Sequence, residues 1–293
     1  MTQILVIGSE GQLGNEIQKL SKDIQEASFV FTSLETLDVT DSNKLDETVR
    51  NTNYDYIINC TAYTAVDKAE EDQNLAYEIN AQALEVIGLA SKAINAKVIH
   101  VSTDYVFDGC NHKPYIESDT TAPQSVYGKT KLKGEQLLME KNHNSIVIRT
   151  SWLYSSHGNN FVKTMIKLGQ ERDELGIIFD QIGSPTYAGD LAKSIIHMVK
   201  SDIAQSIPFI AGIYHYSNEG VASWYDFART IHKKKGIQCA LKPIESKEYP
   251  TPAPRPHYSV MNKGKIKKAY QLTIPHWEDS LEHCLAELDI KQN

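Results

Sequence analysis

Short apolar runs alternate with helical patterns through the first half of the chain. Ile4-Leu5-Val6-Ile7 is unbroken and apolar, as a strand covered on both faces must be, and a glycine-rich turn and a helix over about 12–20 follow it. Phe29-Val30-Phe31 predicts a second strand, Ser42 the cap of a helix reaching about Asn51, and Tyr56-Ile57-Ile58-Asn59 a third strand. A long helix is expected over about 65–94, then a fourth strand over 97–102, a helix carrying Tyr127 and Lys131, and a strand over 145–149. Strand–helix alternation of this kind predicts a parallel sheet with helices on both faces, an α/β doubly wound fold.

The pattern loosens near Thr150, which sets a provisional boundary between 1–150 and 151–293. Beyond it, 160–170 reads as helix, 175–179 as strand and 188–199 as helix, and Ser223 can cap a helix containing Trp224 and Phe227. Four prolines between Tyr249 and Pro256 predict an extended loop. Pro275-His276-Trp277 opens a last amphipathic helix with Leu281, Leu285 and Leu288 on one side.

Composition narrows the class. The 293 residues are 41% hydrophobic and 23% charged, ordinary for a soluble globular protein. A net charge of -7 argues against a general nucleic-acid binder. The four cysteines have no metal-ligand spacing and fit reduced thiols in the cytoplasm. The ten histidines do not cluster, so no metal is expected. No signal peptide precedes the apolar run at Ile4, and no segment has the length of a membrane span.

Candidate chemistry begins at Gly8-Ser9-Glu10-Gly11-Gln12-Leu13-Gly14. Glycines between a strand and a helix let a pyrophosphate approach the helix N-terminus, where free N–H groups and the dipole favour anions. Gly14 would let helix and strand pack closely. A plain tight turn is the competing reading. The acid that would grip the ribose of NAD is not clear at the end of strand two. Thr32 and Ser33 stand there instead and leave room for the extra phosphate of NADP, so NADPH is expected, with NADH the alternative. Asp38 serves equally as a turn residue.

Tyr127 and Lys131 are four residues apart and share a helix face. An ammonium beside a phenol lowers the phenol's pKa and makes it a better proton donor to a carbonyl under reduction. Alone this spacing is common on solvated helices. Thr103, at the C-terminal end of the fourth strand, adds a hydroxyl where doubly wound sheets bind ligands.

Together with the runs 61–70, 102–109, 149–154, 180–186 and 249–256, these segments resemble the short-chain dehydrogenase/reductase superfamily, in its extended, nucleotide-sugar-modifying branch, and most closely the dTDP-4-dehydrorhamnose reductases. The resemblance spans nearly the whole chain. It implies a Rossmann-like dinucleotide-binding domain over 1–150 and a smaller C-terminal, mainly substrate-binding α/β lobe over 151–293, with segments around 180–215 returning to the first. It implies NAD(P)H-dependent reduction of the C4 ketone of a dTDP-4-dehydro-6-deoxy sugar to dTDP-L-rhamnose, for surface polysaccharide. Tyr127 would donate the proton, Lys131 would hold the nicotinamide ribose and tune Tyr127, and Thr103 would polarise the carbonyl. Gly8, Gly11, Gln12, Leu13, Gly14, Ser33, Asp38, Val39, Ala62, Tyr63 and Thr64 would hold the cofactor. Asp104, Trp152, Asn160 and Phe161 would meet the sugar, and Arg255 would fork onto the diphosphate.

Some relatives dimerise through a magnesium-linked acidic cluster. Here Gly189 replaces an aligned acid in Tyr187-Ala188-Gly189-Asp190, so neither that metal nor that dimer is expected, and the chain is read as a monomer or homodimer. Asp104 is followed by Tyr105 rather than by a second acid, which speaks against a dehydratase. A reductase giving the C4 epimer, or a non-catalytic cofactor-binding subunit of the same fold, are the alternatives. Trp224 and Phe227 read as core residues, and Asp67 as part of a charged helix start.

Overall fold

The computed structural model describes residues 1–292. Five strands of the first half, β1 (Thr2–Ile7), β2 (Ala27–Thr32), β3 (Tyr56–Asn59), β4 (Lys97–Thr103) and β5 (Ser145–Thr150), lie parallel in one sheet. The helices between them are α1 (Gln12–Ser21), α2 (Ser42–Arg50), α3 (Gln73–Tyr77), α4 (Ala83–Ala93) and α5 (Val126–Lys141). The second half adds the short strands β6 (Leu153–Tyr154), β7 (Glu174–Ile178), β8 (Ile182–Gly183) and β9 (Thr186–Tyr187), with α6 (Phe161–Glu171) after β6 and α7 (Ala188–Ile203) after β9. Then come β10 (Gly212–His215), β11 (Ala222–Ser223), α8 (Trp224–Lys235), β12 (Ala240–Ile244), α9 (Gly264–Tyr270) and α10 (Trp277–Gln292).

The main sheet runs β2-β1-β3-β4-β5-β10, so β10 from the second half completes it. Alternation along each strand sorts the core into two layers. Ile4, Val6, Ile58, Ile99 and Ile146 pack under α1 and α7, together with Ile266 and Tyr270 of α9. Leu5, Ile7, Ile57, Val98 and Val147 pack under α2, α4 and α5. The chain crosses between the two faces at β1 and β3, the switch point where such sheets open a crevice beyond their strand ends. A third core holds α6, α8 and α10 together through Val162, Phe227, Ile231, Trp277, Leu281 and Leu285. Leu281, Leu285 and Leu288 share the buried side of α10, as their spacing requires.

Two expectations change. Asp41, not Ser42, caps α2, its carboxylate accepting from Lys44 N at 3.0 Å. The single helix expected over 65–94 is broken into a 3₁₀ turn (Lys68–Glu70), α3, a π turn (Glu78–Gln82) and α4. The wider turn carries Asn80, whose backbone carbonyl lies so close to α5 that a Cβ on Gly134 would sit 1.9 Å from it. Its side chain is fully used, accepting from Tyr63 N at 2.9 Å and donating to Tyr63 O and to Thr130 Oγ1. The irregular helix is therefore the clamp that fixes residues 62–64 beyond β3.

Candidate active site

A cleft of ≈ 530 Å³ opens beyond the C-terminal ends of β1, β3, β4 and β5. Gly11, Gln12, Leu13, Ala62, Thr64, Thr103, Asp104, Tyr127, Lys131 and Trp152 all line it, so the structure brings together most of the residues singled out by sequence.

The glycine loop forms its floor. Gly8 has φ +83°, a left-handed backbone that suits glycine, and its N–H and that of Ser9 both donate to Thr32 O, at 3.0 and 2.9 Å. A Cβ on Gly14 would lie 2.3 Å from Gly8 O, so only glycine lets α1 start this close to the loop. Helix α1 begins at Gly11 without a side-chain cap, which leaves its first N–H groups for an anion. This floor fits a dinucleotide pyrophosphate. Ser33, Asp38 and Val39 lie outside the cleft wall. The Asp38 carboxylate accepts from Thr40 N and Thr40 Oγ1 at 2.9 and 2.8 Å, and these bonds hold its pKa below the usual value, while Val39 is buried in the core under α2. Tyr63 turns its hydroxyl to Asp72 at 2.9 Å, its backbone N–H and carbonyl are both taken by Asn80, and it stands outside the cleft wall.

Helix α5 starts at the Ser125 cap, whose hydroxyl accepts from Gly128 N at 3.1 Å. A Cβ on Gly128 would lie 2.3 Å from Tyr105 O, and this close approach brings the start of α5 against the end of β4. Tyr127 and Lys131 therefore face the Thr103 strand end. Burial pushes the Tyr127 phenol up to about 12, the nearby Asp104 charge adds to this, and a hydrogen bond with Thr103 works against it. The expected lowering by Lys131 is absent, because Lys131 points elsewhere. Its Nζ donates to Val101 O at 2.8 Å and lies 3.1 Å from His100 Nε2. Burial brings Lys131 down to about 8 against the opposing pull of Glu135.

Thr103 donates to Asp104 Oδ1 at 2.9 Å and accepts from Tyr105 N at 3.2 Å. Asp104 is buried, its Oδ2 has no hydrogen-bond partner, and burial lifts its carboxyl to about 6. Beneath these groups, Arg149 pairs with Glu135 at 2.7 Å, both almost fully buried, and Ser102 also donates to Glu135. Cys60 shares the cleft, with burial raising its thiol to about 12, so it is no nucleophile.

The opposite wall belongs to the second half. Trp152, at φ +48°, stacks on Trp224 with ring centroids 3.6 Å apart and planes within 11°. A Cβ on Gly183 would lie 2.7 Å from the Trp152 ring, so Gly183 and Trp224 together fix that ring. Trp224 is thus a cleft residue, where the sequence suggested core. Its place on the first turn of α8, held by the Ser223–Asp226 capping box, was the available signal. Phe161 stands behind it at 4.6 Å. Asn160 caps α6 and donates to Gln12 Oε1 at 2.9 Å, so it joins the second half to the glycine loop rather than lining the cleft.

Arg255, in the proline-rich loop, also stands outside the cleft wall. Its Nη2 donates to Asp67 Oδ2 at 2.6 Å, and Ala253 N donates to Asp67 Oδ1 at 3.2 Å. Its Nη1 is buried without a partner. Asp67, read as one of a run of surface charges, is the tether of this loop. Among the described residues no group of three or more His, Cys, Asp or Glu could hold a metal ion, and no helix is long and apolar enough to cross a membrane.

The model of a family described as RmlD substrate binding domain matches residues 1–290. The chain is similar to the dTDP-4-dehydrorhamnose reductase of Escherichia coli (strain K12), 41% identical over 293 residues and covering 97% of each chain. Among solved structures, the dTDP-4-dehydrorhamnose reductase of Clostridium acetobutylicum ATCC 824 has a TM-score of 0.92 at 38% identity, covering 98% of this chain and 100% of that one. The Bacillus anthracis str. Ames enzyme, solved in complex with NADP, has a TM-score of 0.90 at 37% identity over the same shares.

Proposed function

The chain belongs to the dTDP-4-dehydrorhamnose reductase family, and from that premise we propose how its residues divide the work. It is an NAD(P)H-dependent oxidoreductase that reduces the C4 ketone of dTDP-4-dehydrorhamnose, giving dTDP-L-rhamnose for polysaccharide synthesis. When bound, the reduced dinucleotide supplies the hydride that goes to C4.

In our reading Gly11, Gln12 and Leu13 take the pyrophosphate at the start of α1, and Ala62 to Thr64 run beside the middle of the dinucleotide. Gly8 and Gly14 shape the loop, with Ser33, Asp38 and Val39 toward the adenosine end. Tyr127 donates its proton to the alkoxide oxygen developing at C4. A phenol held near 12 keeps that proton until the alkoxide, a far stronger base, appears. Lys131 orients the nicotinamide ribose through its ammonium. Thr103 and Asp104 hold the sugar beside the phenol, and the unpartnered Asp104 Oδ2 accepts from a sugar hydroxyl. Trp152, backed by Trp224 and Phe161, gives the sugar a flat apolar face. Arg255 offers its free Nη1 to the diphosphate.

We assign dinucleotide binding to 1–150 and most of the sugar-nucleotide contacts to 151–293. The segment 180–215 is shared, in keeping with α7 on α1 and β10 in the main sheet. We place the chain in the cytoplasm as a monomer or homodimer.

The convergence of Thr103, Tyr127 and Lys131 on the cleft floored by the glycine loop carries this reading. Incubation with dTDP-4-dehydrorhamnose and NADPH, with the product sugar identified by NMR, tests it. dTDP-L-rhamnose is expected. The 6-deoxytalose epimer would reverse the assigned face of the ketone, and cofactor binding without turnover would favour a regulatory subunit.

A further inference from the structure

Behind Lys131 lies a chain of buried polar side chains that the reaction described above does not use. Asn59, His100 and Lys131 are each 1% exposed or less. Asn59 Oδ1 accepts from Thr61 N at 3.1 Å and from Thr61 Oγ1 at 2.7 Å. A backbone N–H can only donate, so this bond fixes which end of the Asn59 amide faces Thr61. The other end, Nδ2, then faces His100 Nδ1 at 3.1 Å as a donor. An imidazole that accepts at Nδ1 and is neutral carries its proton on Nε2. That N–H points at Lys131 Nζ, 3.1 Å away.

We propose that Thr61, Asn59 and His100 form a one-way hydrogen-bond chain that donates to the neutral Lys131 amine, so that His100 is a positioning residue setting the pH at which Lys131 carries charge. This rests on the role assigned to Lys131 above. The ammonium form must face the Nε2–H of His100, donor against donor, and is disfavoured by it. Burial and the Lys131 charge hold His100 well below its usual range, and burial holds Lys131 near 8. The ammonium that holds the ribose is therefore present below about pH 8 and lost above it.

The other ionisable groups near Lys131 are Tyr127 one turn back on α5, Glu135 one turn on, which pairs with Arg149 of β5 and still pulls Lys131 up, Asp104 after β4, and Cys60 after β3. None of them supplies the Nε2–H. The backbone carbonyl of Asn59 also bears on the His100 ring and raises its pKa, which favours the opposite tautomer.

Long-range ¹H–¹⁵N correlation of histidine-labelled protein, without substrate, decides between the two, with His100→Gln identifying the signal by its loss. The expected spectrum has Nε2 protonated and Nδ1 as acceptor. An Nδ1–H tautomer would overturn the proposal, whatever the protein reduces. Asn59→Asp supplies the second test. A carboxylate accepts from both Thr61 N and His100 Nδ1, flips the ring's proton to Nδ1 and leaves Nε2 to accept from the ammonium. The alkaline limb of the kcat–pH profile should then move up by about one pH unit or more. A folded variant with an unmoved limb also contradicts the chain.

Discussion

The two walls of the cleft are held in place by different forces. The wall of Thr103, Tyr127 and Lys131 rests on the ends of parallel strands and on polar groups that are almost wholly buried, down to the Arg149–Glu135 pair, 3% and 2% exposed. The facing wall rests on stacked rings, Trp152 on Trp224, and on a proline-rich loop tied by Arg255 to Asp67, 21% and 41% exposed. Buried bonds cannot shift without leaving polar groups unpaired, so the first wall is fixed before any ligand arrives. The second can loosen at small cost, because its ion pair is partly exposed to solvent. The chemistry sits on the rigid side and recognition on the adjustable side.

Breaking one partner on each side should expose the difference. Arg149→Met leaves the buried Glu135 carboxylate without its guanidinium partner and should cost about 3–5 kcal/mol, seen as a large fall in the denaturation midpoint. An effect under about 1 kcal/mol would mean that the first wall is not held as described.

Asp104 tests the same side through pH. Its pKa is raised from 3.8 to about 6 in the folded state, so the native protein keeps this proton longer than the unfolded chain does. Stability is therefore lost as pH rises from about 4 to about 6, and the full cost remains above that. Asp104→Asn should gain up to ~3 kcal/mol over wild type at pH 7 and little at pH 4, read from ligand-free unfolding at both values. It should also lose activity. A gain that does not depend on pH would contradict the burial of this carboxylate.

On the adjustable side the effects move from stability to binding. Arg255→Ala should raise KM for the dTDP sugar by roughly 10- to 100-fold, with the dinucleotide's Kd and kcat little changed. Asp67→Asn should be smaller still: a KM rise of a few-fold and less than about 1 kcal/mol of stability, measured by steady-state kinetics and thermal unfolding. If Asp67→Asn destabilises as much as Arg149→Met, the contrast between the walls fails.

The sequence discloses the two walls unequally, for the same physical reason. The glycine loop, the strand-end Thr103 and the Tyr127–Lys131 spacing are local patterns, each set by one strand, turn or helix, and α/β alternation places them on one edge of a sheet. The partners that fix them are not local. Asn80 is brought to Tyr63 by a π turn that no periodicity signals, Lys131 meets His100 only when α5 packs on β4, and Glu135 meets Arg149 only when α5 packs on β5. Lys131 shows the cost of a local reading: four residues from Tyr127 on a helix, it still turns to Val101 and His100, and the phenol is tuned upward by burial instead. On the second wall, Trp224 looks like core because a tryptophan on an amphipathic helix usually is. Asp67 looks like a surface charge because its partner Arg255 is 188 residues away.

The central claim is that the Tyr127 hydroxyl supplies the proton to the reduced ketone. Single-turnover oxidation of NADPH by Tyr127→Phe, with dTDP-4-dehydrorhamnose at saturation, tests it most directly. The variant removes one oxygen from a fixed wall, so it should fold and bind NADPH as the wild type does while turnover falls by roughly 10²- to 10⁴-fold. A rate near the wild type's, in a variant shown to be folded and loaded with cofactor, would contradict it.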